Sequence, residues 1–169
     1  MFGLFESVES KGTKAGIAAV QPMLGGLQAF GGPGIPPGLW QDPYVLGYLN
    51  MTVNMWAKLH TNGKAEGGTL GLVLMNVYAA VSHQNAPAIV SLTVELMQAK
   101  HPAFVRGMED AMLIFLYGQS RLREEVHPTL LQAKADAATM GKPNDKVAIS
   151  GLMLMATWYK EVKRLAKGQ

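Results

Sequence analysis

The sequence predicts an all-α fold, in which a compact bundle of five or six helices follows an apolar, Gly/Pro-rich N-terminal arm. Three observations favour this class. Apolar residues recur at spacings of three and four from residue 42 onward, and helix-start residues punctuate the same region. No window shows the alternation and β-branched bias of a strand. The chain has 169 residues, which is enough for one domain with a sizeable core.

The first 41 residues differ from the rest of the chain. They are rich in glycine and proline and end in GGPGIPPGLW, where Gly-Pro-Gly and Pro-Pro oppose a continuous helix. A flexible linker would be rich in serine or charge, whereas this segment carries many large apolar residues. We therefore divide the chain into an arm (residues 1–41), which lies against its own body or a neighbour, and a helical bundle domain (residues 42–169).

The bundle domain contains six predicted helices. The first begins at Asp42, an N-cap that precedes a proline, and runs to about His60. Its apolar stripe is opposed by a small or polar stripe without charges, which favours close packing on another helix. The next helix, at about 68–83, is apolar nearly all round, so we expect it to be central. The others are predicted at about 87–100, 101–125, 129–140 and 144 to the C-terminal region.

The last helix has the clearest amphipathic pattern in the chain. One set of residues steps by three and four and is predicted to face the core: Val147, Gly151, Leu154, Trp158, Val162 and Leu165. A polar set is predicted to face solvent: Lys146, Ser150, Lys160, Arg164 and Lys167.

Charge is sparse and unevenly placed. Charged residues make up 16% of the chain, against about 25% in an ordinary soluble domain, while hydrophobic residues reach 49% and include 11 methionines. The net charge of +3 comes from the end of the last helix, where a basic cluster suits the helix dipole. Because no basic face extends over several elements, we expect no nucleic-acid partner.

Motifs that carry a recognisable chemistry are missing. The chain has no cysteine, its four histidines show no metal-binding spacing, and the one Glu-x-x-His pair, Glu124 with His127, has no second pair to complete a di-iron site. Nucleophile elbows and phosphate-binding loops are also missing. We therefore predict no catalytic residue, no metal and no cofactor, and a non-enzymatic function is favoured over an enzymatic one.

Membrane and export signals are weak. The longest charge-free stretch, residues 67–94, is interrupted by SHQNAP, so its apolar runs are shorter than the roughly 20 residues of a spanning helix. The N-terminal region lacks the pattern of a signal peptide. We expect a cytoplasmic protein without a transmembrane helix.

The scarcity of charge predicts a non-catalytic assembly or partner-binding protein. It would act through self-association or docking of uncharged helix faces and of the arm, with four aromatic anchors: Phe2, Phe5, Phe30 and Trp40. One alternative is a small-molecule-binding domain, a sensor or small enzyme, with a pocket near Trp56, Tyr78, His83 and Tyr117. A second alternative is a peripheral membrane protein that uses MFGLF and the basic C-terminal helix.

Overall fold

The fold was examined in a computed structural model, which describes residues 6–29, 34–36, 38–122 and 126–168. These ranges are helical and contain no strand, which confirms the all-α prediction. The helices are α1 (Val8–Ala29), α2 (Pro43–His60), α3 (Gly67–Ser82), α4 (Ala86–Gln98), α5 (Pro102–Gly118), α6 (Pro128–Thr139), α7 (Lys146–Leu154) and α8 (Lys160–Ala166). A 3₁₀ turn (Leu39–Gln41) precedes α2, and a π-helical segment (Met155–Tyr159) joins α7 to α8. Within the described ranges, no helix combines the length and apolarity needed to cross a membrane.

The predicted helix starts are supported by hydrogen bonds to side chains. Asp42 accepts from the backbone N–H of Val45 at 3.0 Å, and Pro43 follows it at the first helical position. Asn85 caps α4 and Asp145 caps α7 in the same way. Each cap gives a partner to a backbone donor that the helix itself leaves unpaired, so it fixes where the helix begins.

Helix α1 was not predicted. It contains Pro22 and includes more than half of the residues assigned to the arm. Gly12 and Gly16 explain its packing: a Cβ atom at Gly12 would lie 2.9 Å from Cγ2 of Val73, and one at Gly16 would lie 2.7 Å from Cγ2 of Val77. The helix therefore approaches α3 more closely than any larger residue would allow. The arm interpretation missed that these glycines serve helix packing rather than turns.

Helix α2 is the centre of the bundle. It packs against α1, α3, α4, α5 and α8, and its uncharged face is buried at Gly47, Asn50 and Ala57. This bears out the expectation that a charge-free face packs on another helix. The expectation that α3 is central was wrong, because α3 is covered on fewer sides and Leu72 remains 51% exposed.

A second, smaller core lies where α5, α6 and α7 meet. Its buried residues are Leu113, Tyr117, Leu130, Ala133, Ala137, Ile149 and Met153. Helix α5 ends at Gly118 rather than extending toward residue 125. Ser120 has a left-handed backbone (φ 55°), and the N–H of Arg121 donates to the carbonyl of Leu116 at 2.9 Å. This is the hydrogen-bond pattern of a helix C-terminus.

The inward face of the last helix is shifted before its π-helical segment. Val147, predicted to face the core, is 83% exposed, whereas Ile149 and Met153 are buried. After Met153 the next buried residues are Thr157 and Trp158, four and five positions later, and Val162 follows four residues after Trp158. A π turn holds more residues than an α turn, so it moves the buried stripe along the sequence. The predicted face was therefore wrong at Val147 and Gly151, which are exposed, and right at Leu154, which packs on the main core, and from Trp158 onward.

Candidate ligand-binding groove

A groove runs between α1, α2, α5 and α7. Its volume is about 600 Å³, within the range of roughly 300–1,000 Å³ that is typical of small-molecule sites. The lining residues are Ala15, Ala18, Ala19, Met23, Tyr48, Thr52, Trp56, His60, Ala111, Ile114, Phe115, Gly118, Gln119, Ser150 and Leu154. None of these side chains is an aspartate, glutamate, lysine or arginine, so the groove offers an uncharged surface.

One wall comes from a single face of α2. Tyr48, Thr52, Trp56 and His60 are spaced by four residues, which places them one above another along the helix. Helix α1 faces this wall with a run of alanines at 15, 18 and 19. The alanines leave the volume that larger side chains would fill, so α1 and α5 both pack on α2 without closing the space between them.

Three aromatic rings cluster at the C-terminal end of the α2 wall. The Trp56 indole stacks on the His60 imidazole with ring centroids 5.8 Å apart and an interplanar angle of 24°. Phe115 of α5 meets Trp56 edge-on, at 5.7 Å and 85°. Such pairs bury a large apolar area with a defined orientation. They give this end of the groove a rigid surface that suits an apolar group.

Some polar groups of the groove are already used by the protein. The Thr52 hydroxyl donates to the Tyr48 carbonyl at 2.9 Å. Burial raises the pKa of the Tyr48 hydroxyl, although its hydrogen bond with Thr157 acts in the opposite direction. The remaining polar lining side chains are His60, Gln119 and Ser150. The arrangement therefore combines an apolar body with a few polar groups that can orient a ligand.

The four residues predicted to form a pocket are not brought together. Trp56 lines the groove, but Tyr78 is fully buried, 6.1 Å from Trp40 between ring centroids. His83 is exposed at the end of α3, with a left-handed backbone (φ 54°). Tyr117 belongs to the second core and borders a separate depression with Lys134 and Lys146. Since these side chains lie on different elements and faces, only the Trp56 part of that prediction coincides with the groove.

The predicted partner anchors have different outcomes. Trp40 is 2% exposed and packs inside the chain's own core, so in this fold it is not presented to a partner. Phe2, Phe5 and Phe30 lie outside the described residues. The MFGLF segment of the membrane alternative also falls outside them. In the basic C-terminal helix, Lys160, Lys163 and Lys167 are exposed.

Most of the groove was not predicted from the sequence. The stripe from Tyr48 to His60 was visible as a four-residue spacing, but its polar members did not distinguish a groove from a helix contact. The alanines of α1 carried no signal, because that segment was not predicted to be helical.

A chain of polar contacts joins α2, α5 and α8 away from the groove's lining residues. Arg164 contacts Asp42 at 3.1 Å and Glu161 at 2.9 Å, and Glu161 also pairs with Arg106 at 3.2 Å. The hydrogen bond with Glu161, as the largest effect, raises the pKa of Arg164. These contacts satisfy one another's charges, so we assign this cluster a structural role.

A further part of the cluster involves Tyr44. Arg106 lies 5.0 Å from the centre of the Tyr44 ring, and the Tyr44 hydroxyl donates to Asp110 at 2.8 Å.

Among the residues that the structure describes, no three histidine, aspartate or glutamate side chains converge as a metal site would require. The sequence matches no protein family and no curated protein, and the fold matches no solved structure.

Proposed function

We propose that this protein binds a small, predominantly apolar molecule in the groove between α1, α2, α5 and α7. The observation that carries the proposal is the uncharged groove of about 600 Å³ with Trp56, His60 and Phe115 clustered at one end. The alternative of a ligand-binding domain is preferred to assembly through the arm because Val20, Met23, Leu24 and Leu27 of α1 belong to the chain's own core. A groove of this kind gains affinity from removing apolar ligand surface from water.

The test uses N-phenyl-1-naphthylamine, a neutral apolar dye whose fluorescence rises on leaving water. We expect saturable binding to the full chain, and a rise in melting temperature of several degrees when the dye is well above its Kd. Quenching or shifting of tryptophan emission reports dye bound near a tryptophan; Trp40 and Trp158 are buried, but the Trp158 ring lies 5.3 Å from that of the groove residue Tyr48, so a Trp56 variant is needed. If the Trp56→Phe variant binds the dye without this change in emission, the change in the wild type comes from Trp56.

A matched pair of variants locates the site. Ala18 is exposed and lines the groove, so Ala18→Phe fills the space without displacing a packed side chain. Ala79 is exposed on α3 and is not among the groove residues, so Ala79→Phe adds the same bulk elsewhere. We expect Ala18→Phe to weaken dye binding at least about tenfold, which corresponds to roughly 1.4 kcal/mol. Equal affinities for the two variants would contradict the proposal.

Self-association is the second candidate, and exposed apolar residues at one end of the α6–α7 pair favour it. Met140 and Val147 flank the loop between these helices, and both are more than half exposed. If this surface holds two copies together, Met140→Lys with Val147→Lys will lower the molar mass measured by light scattering. An unchanged mass above that of the 18.2 kDa monomer would place the interface elsewhere, and a monomeric wild type would dismiss this candidate.

A further inference from the structure

A second depression adjoins the groove. It is lined by Met55, Lys58, Leu59, Asn62, Gly63, Phe115 and Arg121, and its volume is about 350 Å³. Phe115 lines both spaces, so the two are neighbours at this side chain. Helices α2 and α5 contribute to both spaces: Lys58 lies on α2, two residues after Trp56 and therefore on a different side of that helix, and Arg121 follows the end of α5, two residues after Gln119.

The charged side chains described along these two spaces are all positive. Among the described residues that line the two spaces, Lys58 and Arg121 are charged and none is acidic. Within the described part of the chain, neither cation takes part in an ion pair. As far as the described residues show, the uncharged groove therefore shares Phe115 with a depression whose two positive charges have no acidic partner.

We infer that the ligand is an amphipathic anion with a single apolar chain and a carboxylate head. This inference rests on the proposed function and specifies the class of ligand. The apolar chain lies in the groove against Trp56, and the carboxylate lies beside Lys58 and Arg121, past Phe115. The planar guanidinium of Arg121 matches a carboxylate with two parallel hydrogen bonds, and Lys58 adds a compact positive charge.

The test compares two ligands that differ in their head group. Decanoate, ionised at pH 8, and neutral 1-decanol carry chains of the same length, and each competes with N-phenyl-1-naphthylamine for the groove. Lys58→Gln and Arg121→Gln are expected to weaken decanoate about three- to tenfold each and to leave 1-decanol unchanged. Added salt is expected to weaken decanoate and not 1-decanol, because it screens exposed charges.

Matched controls separate local charge from net charge. Lys64→Gln and Lys142→Gln remove the same charge from exposed positions that are not among the lining residues of either space. We expect both to bind decanoate like the wild type. Melting temperatures of all four variants check that folding is intact.

The outcomes distinguish the inference from the proposed function. If the dye and both ligands bind the groove, but the Lys58 and Arg121 variants bind decanoate like the controls, the inference about the carboxylate is wrong and the groove proposal stands. If neither the dye nor either ligand binds, the proposed function is wrong, and the inference fails with it. Selective loss of decanoate binding in the two variants supports both.

Discussion

Gly47 of α2 and Gly107 of α5 lie where the two helices cross, each against the backbone of the other helix. A Cβ atom at Gly47 would lie 2.0 Å from the carbonyl oxygen of Phe104, and one at Gly107 would lie 2.2 Å from that of Tyr44. Because backbone atoms cannot turn aside as a flexible side chain can, this crossing is specific for glycine.

The first prediction concerns this crossing. Gly47→Ala and Gly107→Ala are each expected to lower the free energy of unfolding by about 2–4 kcal/mol, because the two helices must separate. Gly151→Ala is the control, since that glycine is exposed on α7 with no atom within 4 Å of its Cβ position. It should be stabilising by up to about 1 kcal/mol through helix propensity. Urea unfolding measures all three, and similar values for Gly107→Ala and Gly151→Ala would contradict the close crossing.

The second prediction separates two roles of Asp42, which caps α2 and contacts Arg164. Asn is an equally good N-cap but carries no charge, so Asp42→Asn tests the ion pair alone. We expect Asp42→Asn to cost less than about 1 kcal/mol, because Arg164 is partly exposed, and Asp42→Ala to cost about 1 kcal/mol more. Arg164→Gln also removes the contact with Glu161, so it should cost at least as much as Asp42→Asn. Thermal unfolding at two salt concentrations checks this, and a larger loss for Asn than for Ala would refute it.

The third prediction is a loss of stability at alkaline pH. Burial raises the pKa of Tyr44, Tyr48 and Tyr78 above the ordinary value of 10.0. The unfolded chain therefore releases these protons at a lower pH than the folded chain does. The stabilisation is fully present below about pH 10 and declines as the pH rises further.

Two measurements check the alkaline prediction. Absorbance at 295 nm should show these tyrosines ionising together with unfolding, rather than near pH 10 in the folded protein. Tyr78→Phe removes one of the ionisable groups, so the fall of unfolding free energy with pH above 10 should become shallower. Complete tyrosine ionisation near pH 10 with the helical signal intact would be inconsistent with the burial described.

The fourth prediction tests which face of α7 is buried in the second core. Ile149 is 1% exposed and Val147 is 83% exposed. Ile149→Ala is expected to cost about 2–5 kcal/mol by leaving a cavity in the second core, whereas Val147→Ala should change the stability by less than about 0.5 kcal/mol. A regular α-helix with the predicted face would reverse this order. Chemical denaturation of the two variants decides between them.

The helices that begin at strong local signals were predictable from the sequence. Asp42 and Asn85 stand before prolines or apolar runs, and their caps are local interactions that do not depend on distant parts of the chain. The face of α7 was not predictable in this way, because a repeat of three and four assumes a regular helix. The π-helical segment is visible in the burial of Met153 and Trp158, which are five residues apart.

The groove depended on the tertiary structure in a different way. Trp56 stood out as an aromatic residue near a helix end, yet Tyr78, His83 and Tyr117 seemed equally suitable partners for it. Their separation follows from which face of each helix is buried, and the sequence leaves that open when a helix is apolar nearly all round. The alanines of α1 line the groove because that segment is helical and packs on α2, and Gly12 and Gly16 let it approach α3 closely.

By itself, the sequence determined the all-α class, the starts of the helices after residue 42 and the scarcity of charge on their faces. These properties are set by periodicity, capping and composition, which act over a few residues at a time. The tertiary structure decided that α1 is a helix, that α2 rather than α3 is central, and that Trp56 and Phe115 form the end of a groove. Such features depend on contacts between residues far apart in the chain, where one glycine sets how closely two helices approach.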